Sequence, residues 1–313
     1  MQKSHRCGVM VVDKPDGPTS HDVVRWCRKA LNTGSVGHAG TLDPMATGVL
    51  VVAVGQATKL VPYLTAEDKV YEAELSLGTE TDSLDATGTV VRHAEYNPDI
   101  SVDDVKAAGG EFLGETDQRA PRVSALRKDG VRLHKLARMG EDFEAPVRRV
   151  QLHALEVLDA SPGVLRCVLH CGKGFYVRAF ARDLAYRLGT VGHLRSLRRL
   201  RSGSFGLSAA VAGETLSKAR SDPELALRLC DRLIPIEDAC SSFPVLCLNE
   251  AGATDAQHGR IISKERCVHG WPPERDHPLF LKDLRGRLLA IGERAQDSVR
   301  VRRGFVVDPH ADA

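Results

Sequence analysis

The side chains with the clearest chemical potential lie in one glycine-rich stretch, residues 34–48, which reads GSVGHAGTLDPMATG. It contains one imidazole, His38, and one carboxylate, Asp43. Asp43 directly precedes a proline, which favours an extended backbone and therefore presents the carboxylate. The glycines allow positive φ angles and close approach of a ligand. Such a carboxylate could act as a nucleophile or as a base, although the same pattern is also common in simple turns.

Apolar strands and a capped helix are expected to hold this stretch in place. Residues 8–12 (GVMVV) and 49–54 (VLVVAV) are continuous apolar runs, which predict buried strands. Between them, Thr19 or Ser20 is expected to cap a helix, with Asp22 in its first turn. The glycine-rich loop should therefore be supported on both sides by core elements, as functional loops usually are.

Two later segments carry further candidates. Residues 71–77 alternate in polarity, which predicts a half-buried strand with Tyr71 on its inner face. Residues 164–171 predict another strand, and a helix is expected over 177–188 with Arg178 in its first turn. Taken alone, Tyr71 could be a core aromatic residue and Arg178 a surface residue.

Positive charge is concentrated in two segments, although the whole chain is nearly neutral. The 43 basic and 41 acidic residues give a formal net charge of +2, so no global field favours nucleic acid. Residues 118–138 contain many basic residues and a single acid, Asp129, and residues 194–201 (LRSLRRLR) contain four arginines. Such runs are usually solvated faces, but they could also contact phosphates.

Length and composition exclude several classes of protein. The 313 residues, 42% hydrophobic and 27% charged, are typical of a soluble globular protein of about two domains. No apolar stretch has membrane-spanning length, and no secretory signal is expected. The eight cysteines contain no C-x-x-C pair, so we expect reduced thiols, no zinc site and a cytoplasmic location. The sequence has no P-loop and no dinucleotide fingerprint, so no nucleotide cofactor is expected.

Together, the motifs resemble the TruB family of pseudouridine synthases. The segments that carry the resemblance are GHAGTLDP and ATG within 37–48, DKP at 13–15, GQATK at 55–59, KVY at 69–71, KGFYVR at 173–178 and LRR at 197–199. The resemblance covers about residues 8–205. It implies an isomerase that converts a uridine in the T-loop of tRNA (uridine-55) into pseudouridine. It implies neither a cofactor nor a metal, no required protein partner and no membrane, and we expect a monomer.

The resemblance also implies roles for individual residues. Asp43, Tyr71 and Arg178 would be catalytic, and Arg178 would pair with Asp43 and lower its pKa. An imidazole is flat, so His38 would fill the stack that the flipped uridine leaves. The residues expected to bind the substrate are His38, Tyr176, Leu197, Lys14 and Lys59. The residues expected to contact the RNA elsewhere are Arg122, Arg127, Lys128, Arg198 and Arg199.

The implied fold is α+β, with a mixed, mainly antiparallel sheet core and flanking helices (the pseudouridine synthase fold). The catalytic domain would span residues 1–243, with an insertion at about 96–150 that closes over RNA. A small β-rich, PUA-like RNA-binding domain would span 244–313 and contain a hairpin. Within the insertion the chain departs from the family motif at Ala120 and Val123, where Pro and an aromatic residue are common.

Several alternatives remain open at this stage. A non-catalytic RNA-binding or RNA-folding module could use the same surface, although it would have no need of Asp43. A guide-dependent rRNA pseudouridine synthase within a ribonucleoprotein, or an unrelated hydrolase with Asp43 as nucleophile, is also conceivable. The sequence does not decide whether Asp43 would attack C1′, attack C6 or act only as a base.

Overall fold

The computed structural model describes residues 6–124, 126–128, 130–271 and 278–306. The chain divides into two compact units. The larger comprises Met10–Ala53 and Leu60–Arg232, and the smaller comprises Met1–Val9, Val54–Lys59 and Leu233–Ala313. No helix in the described part of the chain is long and apolar enough to cross a membrane.

Strands and helices up to residue 232 belong mainly to the larger unit. Its α-helices are α1 (Ser20–Ala30), α2 (Val61–Ala66), α3 (Val102–Gly110), α4 (Leu133–Arg138), α5 (Val177–Arg187), α6 (Gly213–Lys218) and α7 (Pro223–Cys230). The strands are β1 (Gly8–Lys14), β2 (Val36–Ala39), β3 (Thr47–Val54), β4 (Lys69–Leu77), β5 (Thr79–Thr81), β6 (Val90–His93), β7 (Gly114–Arg119), β8 (Arg127–Lys128), β9 (Val131–Arg132), β10 (Val147–Ser161), β11 (Val164–Cys171), β12 (Gly192–Ser202), β13 (Phe205–Gly206) and β14 (Val211–Ala212).

A ten-stranded mixed sheet organises this unit. Its order is β14-β1-β3-β12-β4-β11-β10-β7, with β2 beside β3 and β13 beside β12. The pairs β12–β4, β4–β11, β11–β10 and β10–β7 are antiparallel, whereas β1–β14 and β3–β12 are parallel. The prediction of a mixed, mainly antiparallel sheet core is therefore confirmed.

The central strands follow directly from their residue patterns. The apolar run in β3 is fully buried, and β4 alternates between buried and half-buried residues along its whole length. The pairing register sets Tyr71 of β4 opposite Leu169 of β11 on one side and Arg199 of β12 on the other. The inner position predicted for Tyr71 is confirmed.

The two helices that position the loop and the arginine also follow from local sequence. Thr19 caps α1: its hydroxyl accepts from the Asp22 N–H, and the Asp22 carboxylate accepts from the Thr19 N–H. This reciprocal arrangement satisfies two backbone donors at the helix end. Helix α5 begins after Tyr176, and Gly189 follows its end with φ at +77°. Both predicted helices are confirmed.

The smaller unit is rich in β structure. It contains the helices α8 (Ile236–Ala239) and α9 (Glu250–Gln257) and the strands β15 (Val245–Leu248), β16 (Ile262–Ser263), β17 (Cys267–His269), β18 (Pro278–Lys282), β19 (Leu288–Ala295) and β20 (Ser298–Gly304). Its sheet order is β16-β20-β19-β18-β15-β17, and the predicted hairpin is the antiparallel pair β18–β19. The division predicted at residue 243 and the PUA-like character predicted for residues 244–313 stay predictions.

Candidate active site

The loop that carries Asp43 is held from two sides by buried polar side chains. The Ser20 hydroxyl, at the start of α1, accepts from the Leu42 N–H at 2.8 Å and donates to the Leu42 carbonyl at 2.9 Å. On the other side the Lys14 ammonium donates to the Pro44 carbonyl at 2.9 Å. Ser20 is 2% exposed and Lys14 is fully buried. The residues on both sides of Asp43 are therefore fixed, which limits where its carboxylate can point.

Asp43 and Arg178 form a two-pronged ion pair. The Arg178 Nε atom lies 2.9 Å from Asp43 Oδ2, and Nη2 donates to Asp43 Oδ1 at 3.2 Å. Such a pair fixes orientation as well as charge, because the planar guanidinium matches both carboxylate oxygens. The two residues are 135 positions apart in the chain. The structure thus brings together the two residues on which the sequence interpretation depends most.

Three further acceptors hold the guanidinium of Arg178. Nη1 donates to the Ser83 carbonyl at 2.9 Å and lies 3.5 Å from Asp85 Oδ2, while Nη2 donates to the Val123 carbonyl at 3.0 Å. The five N–H donors of an arginine therefore face five acceptor atoms. Arg178 is only 5% exposed, so the alternative of a surface arginine is wrong.

Asp85 is a buried member of this network that the sequence motifs did not single out. Its Oδ1 atom accepts from the Ser83 hydroxyl and from the backbone and hydroxyl of Thr87, at 2.6–3.0 Å. Its Oδ2 atom is left to face Arg178. In the sequence, Asp85 looks like an ordinary turn residue, because only the tertiary fold brings it to α5.

Burial raises the pKa of Asp43 above its ordinary value. Desolvation is the largest cause, the guanidinium of Arg178 opposes it, and the nearby carboxylate of Asp85 adds to the increase. Arg178 acts in the predicted direction, because its guanidinium lowers the pKa of Asp43, but desolvation is the larger cause and the net shift is upward. The arginine offsets part of the desolvation of the carboxylate and fixes its position, but it does not reverse the shift.

The ion pair lies in a cavity of about 310 Å³. This is near the lower end of the range for small-molecule pockets, about 300–1,000 Å³. The cavity is lined by Gly40, Thr41, Leu42, Asp43, Thr65, Lys69, Tyr71, Ser124, Gly172, Gly174, Phe175, Tyr176, Val177, Arg178, Leu197 and Arg199. Of the predicted catalytic and substrate-binding residues, this wall unites Asp43, Tyr71, Arg178, Tyr176 and Leu197.

One wall of the cavity combines an aromatic ring with a buried cation. The guanidinium of Arg199 lies over the Tyr71 ring, 6.0 Å from its centroid, and donates to the carbonyls of Val49 and Gly40. Desolvation raises the pKa of the Tyr71 phenol, so it stays protonated. Leu197 is 8% exposed and adds an apolar patch. The wall therefore offers both stacking and apolar contact to a planar ligand.

The predicted phosphate-facing stripe on β12 needs correction. Arg199 is 1% exposed and points into the protein, because its guanidinium donates to the carbonyls of Val49 in β3 and Gly40 in the loop. Arg198 is half-buried and forms an ion pair with Asp13 at 2.8 Å. Successive side chains of a strand point to opposite faces of the sheet, so the LRR run does not present both arginines to one phosphate chain.

The insertion contributes to the cavity through Gln118 and Ser124. Gln118 holds the Tyr176 backbone with both ends of its amide: it accepts from the Tyr176 N–H at 2.9 Å and donates to the Tyr176 carbonyl at 3.1 Å. Ser124 lines the cavity together with Tyr176. The half-exposed Arg122 side chain lies over the Phe143 ring and forms an ion pair with Asp142. The side chains of Arg127 and Lys128 lie outside the described residues.

The remaining predicted residues lie outside the described cavity wall. Lys14 donates to the backbone of the loop at Pro44, and burial lowers its pKa to about 8. His38 lies in β2, where burial is the main cause of its lowered pKa, so its imidazole is neutral. Its Nδ1 is buried and has no hydrogen-bond partner among the described residues. Lys59 belongs to the smaller unit, where its ammonium donates to Gly304 and Gln56.

Lys69 is a cavity residue that the sequence interpretation passed over. Its ammonium donates to the carbonyls of Thr65 and Glu67, and desolvation lowers its pKa to about 8. The sequence signal was its place two residues before Tyr71, because alternation in a strand puts both on the same face.

Solved structures share this fold. An H/ACA RNP bound to a substrate RNA containing 2'-deoxyuridine matches with a TM-score of 0.71 and 24% identity, over 97% of this chain and 86% of that chain. The archaeal box H/ACA sRNP Nop10-Cbf5 complex matches with a TM-score of 0.71 and 23% identity, over 96% of this chain and 87% of that chain. At these identities the match establishes the fold, and it confirms the predicted fold class.

Sequence comparison then defines the family. Residues 28–177 match the family model for the TruB family pseudouridylate synthase (N terminal domain), and 178–241 match the tRNA pseudouridylate synthase B C-terminal domain. The chain is 43% identical over 304 residues to tRNA pseudouridine synthase B of Paracoccus denitrificans, covering 95% of this chain and 96% of the relative. It is 41% identical to that of Caulobacter vibrioides, covering 82% and 81%. The chain belongs to the TruB family of pseudouridylate synthases, as the motifs predicted.

Proposed function

We propose that this protein isomerises a uridine in the T-loop of tRNA, at position 55, to pseudouridine. The observation that carries the proposal is the ion pair between the Asp43 carboxylate and Arg178, in a cavity that Tyr71 also lines. Relatives named tRNA pseudouridine synthase B, similar over most of both chains, support tRNA as the substrate.

In the proposed reaction the N1–C1′ bond breaks, the uracil turns and C5 bonds to C1′. The proton on C5 is lost to solvent and N1 gains a proton, so atoms and charge balance without redox chemistry. The reacting group is the ionised Asp43, which acts at the junction of sugar and base. Arg178 fixes the two oxygens, so the carboxylate meets the ribose side of the uridine in one orientation.

The target uridine must leave its stack to enter the cavity, which costs about a few kcal/mol. Tyr71 and Leu197 would offset part of this by contacting the faces of the uracil. His38, a neutral flat ring, would fill the vacated position in the RNA. Recognition of splayed bases in a folded loop is the usual way in which single-stranded RNA is recognised.

The alternatives make different demands on the site. A non-catalytic RNA-binding module has no use for a carboxylate that is partly desolvated and held in one orientation, so the half-buried Asp43, paired with Arg178, favours an enzyme. A guide-dependent synthase in a ribonucleoprotein shares the fold, but the relatives similar over most of both chains are named as tRNA enzymes. We further propose that residues 244–313 form a PUA-like RNA-binding domain, and that the protein is a cytoplasmic monomer that needs no protein partner.

The test is tritium release from a T-stem-loop that carries 5-tritiated uridine, with purified protein and no other RNA. Asp43→Asn should abolish release and retain RNA binding, because the amide keeps the shape of the carboxylate and loses its charge. Asp159→Asn is the matched control, since the Asp159 carboxylate accepts from the Ser161 hydroxyl and is not part of the described cavity wall. Release that requires an added guide RNA, or wild-type binding without release, would overturn the proposal.

A further inference from the structure

Three potential metal-ligating side chains converge outside the cavity, on the larger unit. Asp68 lies directly before β4, His153 lies on β10 and His170 lies on β11. The Nε2 atoms of His153 and His170 lie 3.2 Å and 3.6 Å from the same oxygen, Oδ2 of Asp68. Among the described residues these three form a group whose ligand atoms all lie within 4.8 Å of one another.

The sheet itself produces this convergence. His170 is an intermediate position in a strand whose alternate residues, such as Leu169 and Cys171, are buried, so its ring emerges on the opposite face. On β10 the pairing register shifts between Leu152 and Ala154, which places a bulge at His153. A bulge re-aims the side chain that it carries. The two imidazole rings thereby lie 4.9 Å apart between centroids.

We propose that Asp68, His153 and His170 bind a divalent transition-metal ion of the zinc or nickel class. Two imidazole nitrogens and one carboxylate oxygen are ligands that these ions favour, whereas magnesium and calcium favour oxygen alone. With metal–ligand bonds of about 2.0–2.1 Å, tetrahedral geometry separates neighbouring ligand atoms by about 3.3 Å. The observed separations from Asp68 Oδ2, 3.2 Å and 3.6 Å, are close to this spacing.

The cluster is accessible from solvent. The exposed fractions of the three side chains are 49% for Asp68, 30% for His153 and 35% for His170. An ion can therefore enter directly and keep at least one coordination position for water or for another oxygen ligand. A β-carbon added at Gly172, which lines the cavity, would lie 3.7 Å from His153 Nε2. The metal would therefore lie at the edge of the candidate active site.

Calorimetric titration of the tag-free, full-length protein with Zn²⁺ tests the proposal, and Co²⁺ absorption reports the ligand geometry. We expect one equivalent to bind at micromolar protein concentration, and Mg²⁺ not to compete. Removing a ligand should weaken binding at least about tenfold, since even the loss of groups that only support ligands has effects of 10–100-fold. The variants are His153→Ala, His170→Ala and Asp68→Asn, whose folding is checked by circular dichroism.

The chain offers a matched control. His258→Ala removes another exposed histidine, one whose Nδ1 contacts the Thr254 carbonyl in the smaller unit. This variant should bind Zn²⁺ like the wild type. The proposal is wrong if the wild type binds no equivalent of Zn²⁺, or if the three cluster variants bind as tightly as His258→Ala. In either case the cluster is only a hydrogen-bonded aspartate–histidine group.

Discussion

Replacing Arg178 by lysine tests whether catalysis needs the two-pronged geometry of the guanidinium or only its positive charge. Lysine keeps one positive charge but offers three donors from a single point. The guanidinium contacts five acceptor atoms, which belong to Asp43, Ser83, Asp85 and Val123. An ammonium cannot reach all of these, so at least one of the two contacts with Asp43 should be lost.

The expected effect can be worked from that loss. A hydrogen bond to a charged group contributes about 1.5–3 kcal/mol. If the lost contact orients Asp43 in the transition state, kcat should fall about tenfold to 150-fold, since each 1.36 kcal/mol is a factor of ten. Arg178 is only 5% exposed and offers little surface to RNA, so KM should change by less than about threefold.

Single-turnover tritium release with saturating T-stem-loop measures the chemical step, and filter binding measures the RNA affinity. Arg182→Lys is the matched control, one turn further along α5, where the guanidinium contacts Asp183 and the Arg119 carbonyl instead. It should keep wild-type activity. If Arg178→Lys turned over like the wild type, or lost only RNA affinity, the orienting role given to Arg178 would be refuted.

The remaining predictions concern pH, a glycine and a buried lysine. Burial raises the pKa of Asp43, and the ionised form is the one that reacts. The rate of tritium release should therefore fall as the pH decreases. The midpoint of this fall should lie above the pKa of a free aspartate, about 3.9. In Arg178→Gln that midpoint should move to higher pH, and an unchanged midpoint would contradict the pairing. Gly48→Ala should lower the free energy of unfolding by about 3 kcal/mol or more in urea titrations, because φ is +95° and the new carbon would lie 2.2 Å from a carbonyl oxygen of β12. Gly34→Ala, with open space around it, should change it by less than about 1 kcal/mol. Desolvation lowers the pKa of Lys14 from 10.5 to about 8. At pH values between these two, the unfolded chain therefore binds more protons than the folded chain. The free energy of unfolding should therefore rise with pH there, and Lys14→Met should show a smaller slope than the wild type.

Local patterns predicted the elements that position the site. The reciprocal cap of Thr19 and Asp22, the buried run of β3 and the alternation around Tyr71 each depend on neighbours within a few residues, so the sequence displays them directly. The pairing of Asp43 with Arg178 could not be obtained in that way. It came from motif resemblance, and the fold then placed the two side chains together.

What could not be predicted depends on contacts between distant segments. Ser20 looked like a possible helix cap, but its hydroxyl holds the Leu42 backbone 22 positions away. Asp85 looked like a turn residue, and the arginines of β12 looked like a surface stripe. The metal-binding proposal likewise depends on the residue that precedes β4, on the two strands β10 and β11, and on a bulge at His153. In each case the decisive quantity is burial or orientation in the sheet, which composition does not determine.

The departure of Val123 from the family motif becomes understandable from this network. An aromatic residue is common there, yet the group that meets Arg178 is the Val123 carbonyl, which every residue type supplies. The insertion also reaches the cavity through Gln118, which holds the Tyr176 backbone at both its N–H and its carbonyl. Because these contacts involve backbone atoms of positions 123 and 176, a change of side chain at 123 leaves the orientation of Arg178 intact. The ion pair with Asp43 is thus supported by the path of the insertion rather than by its exact sequence.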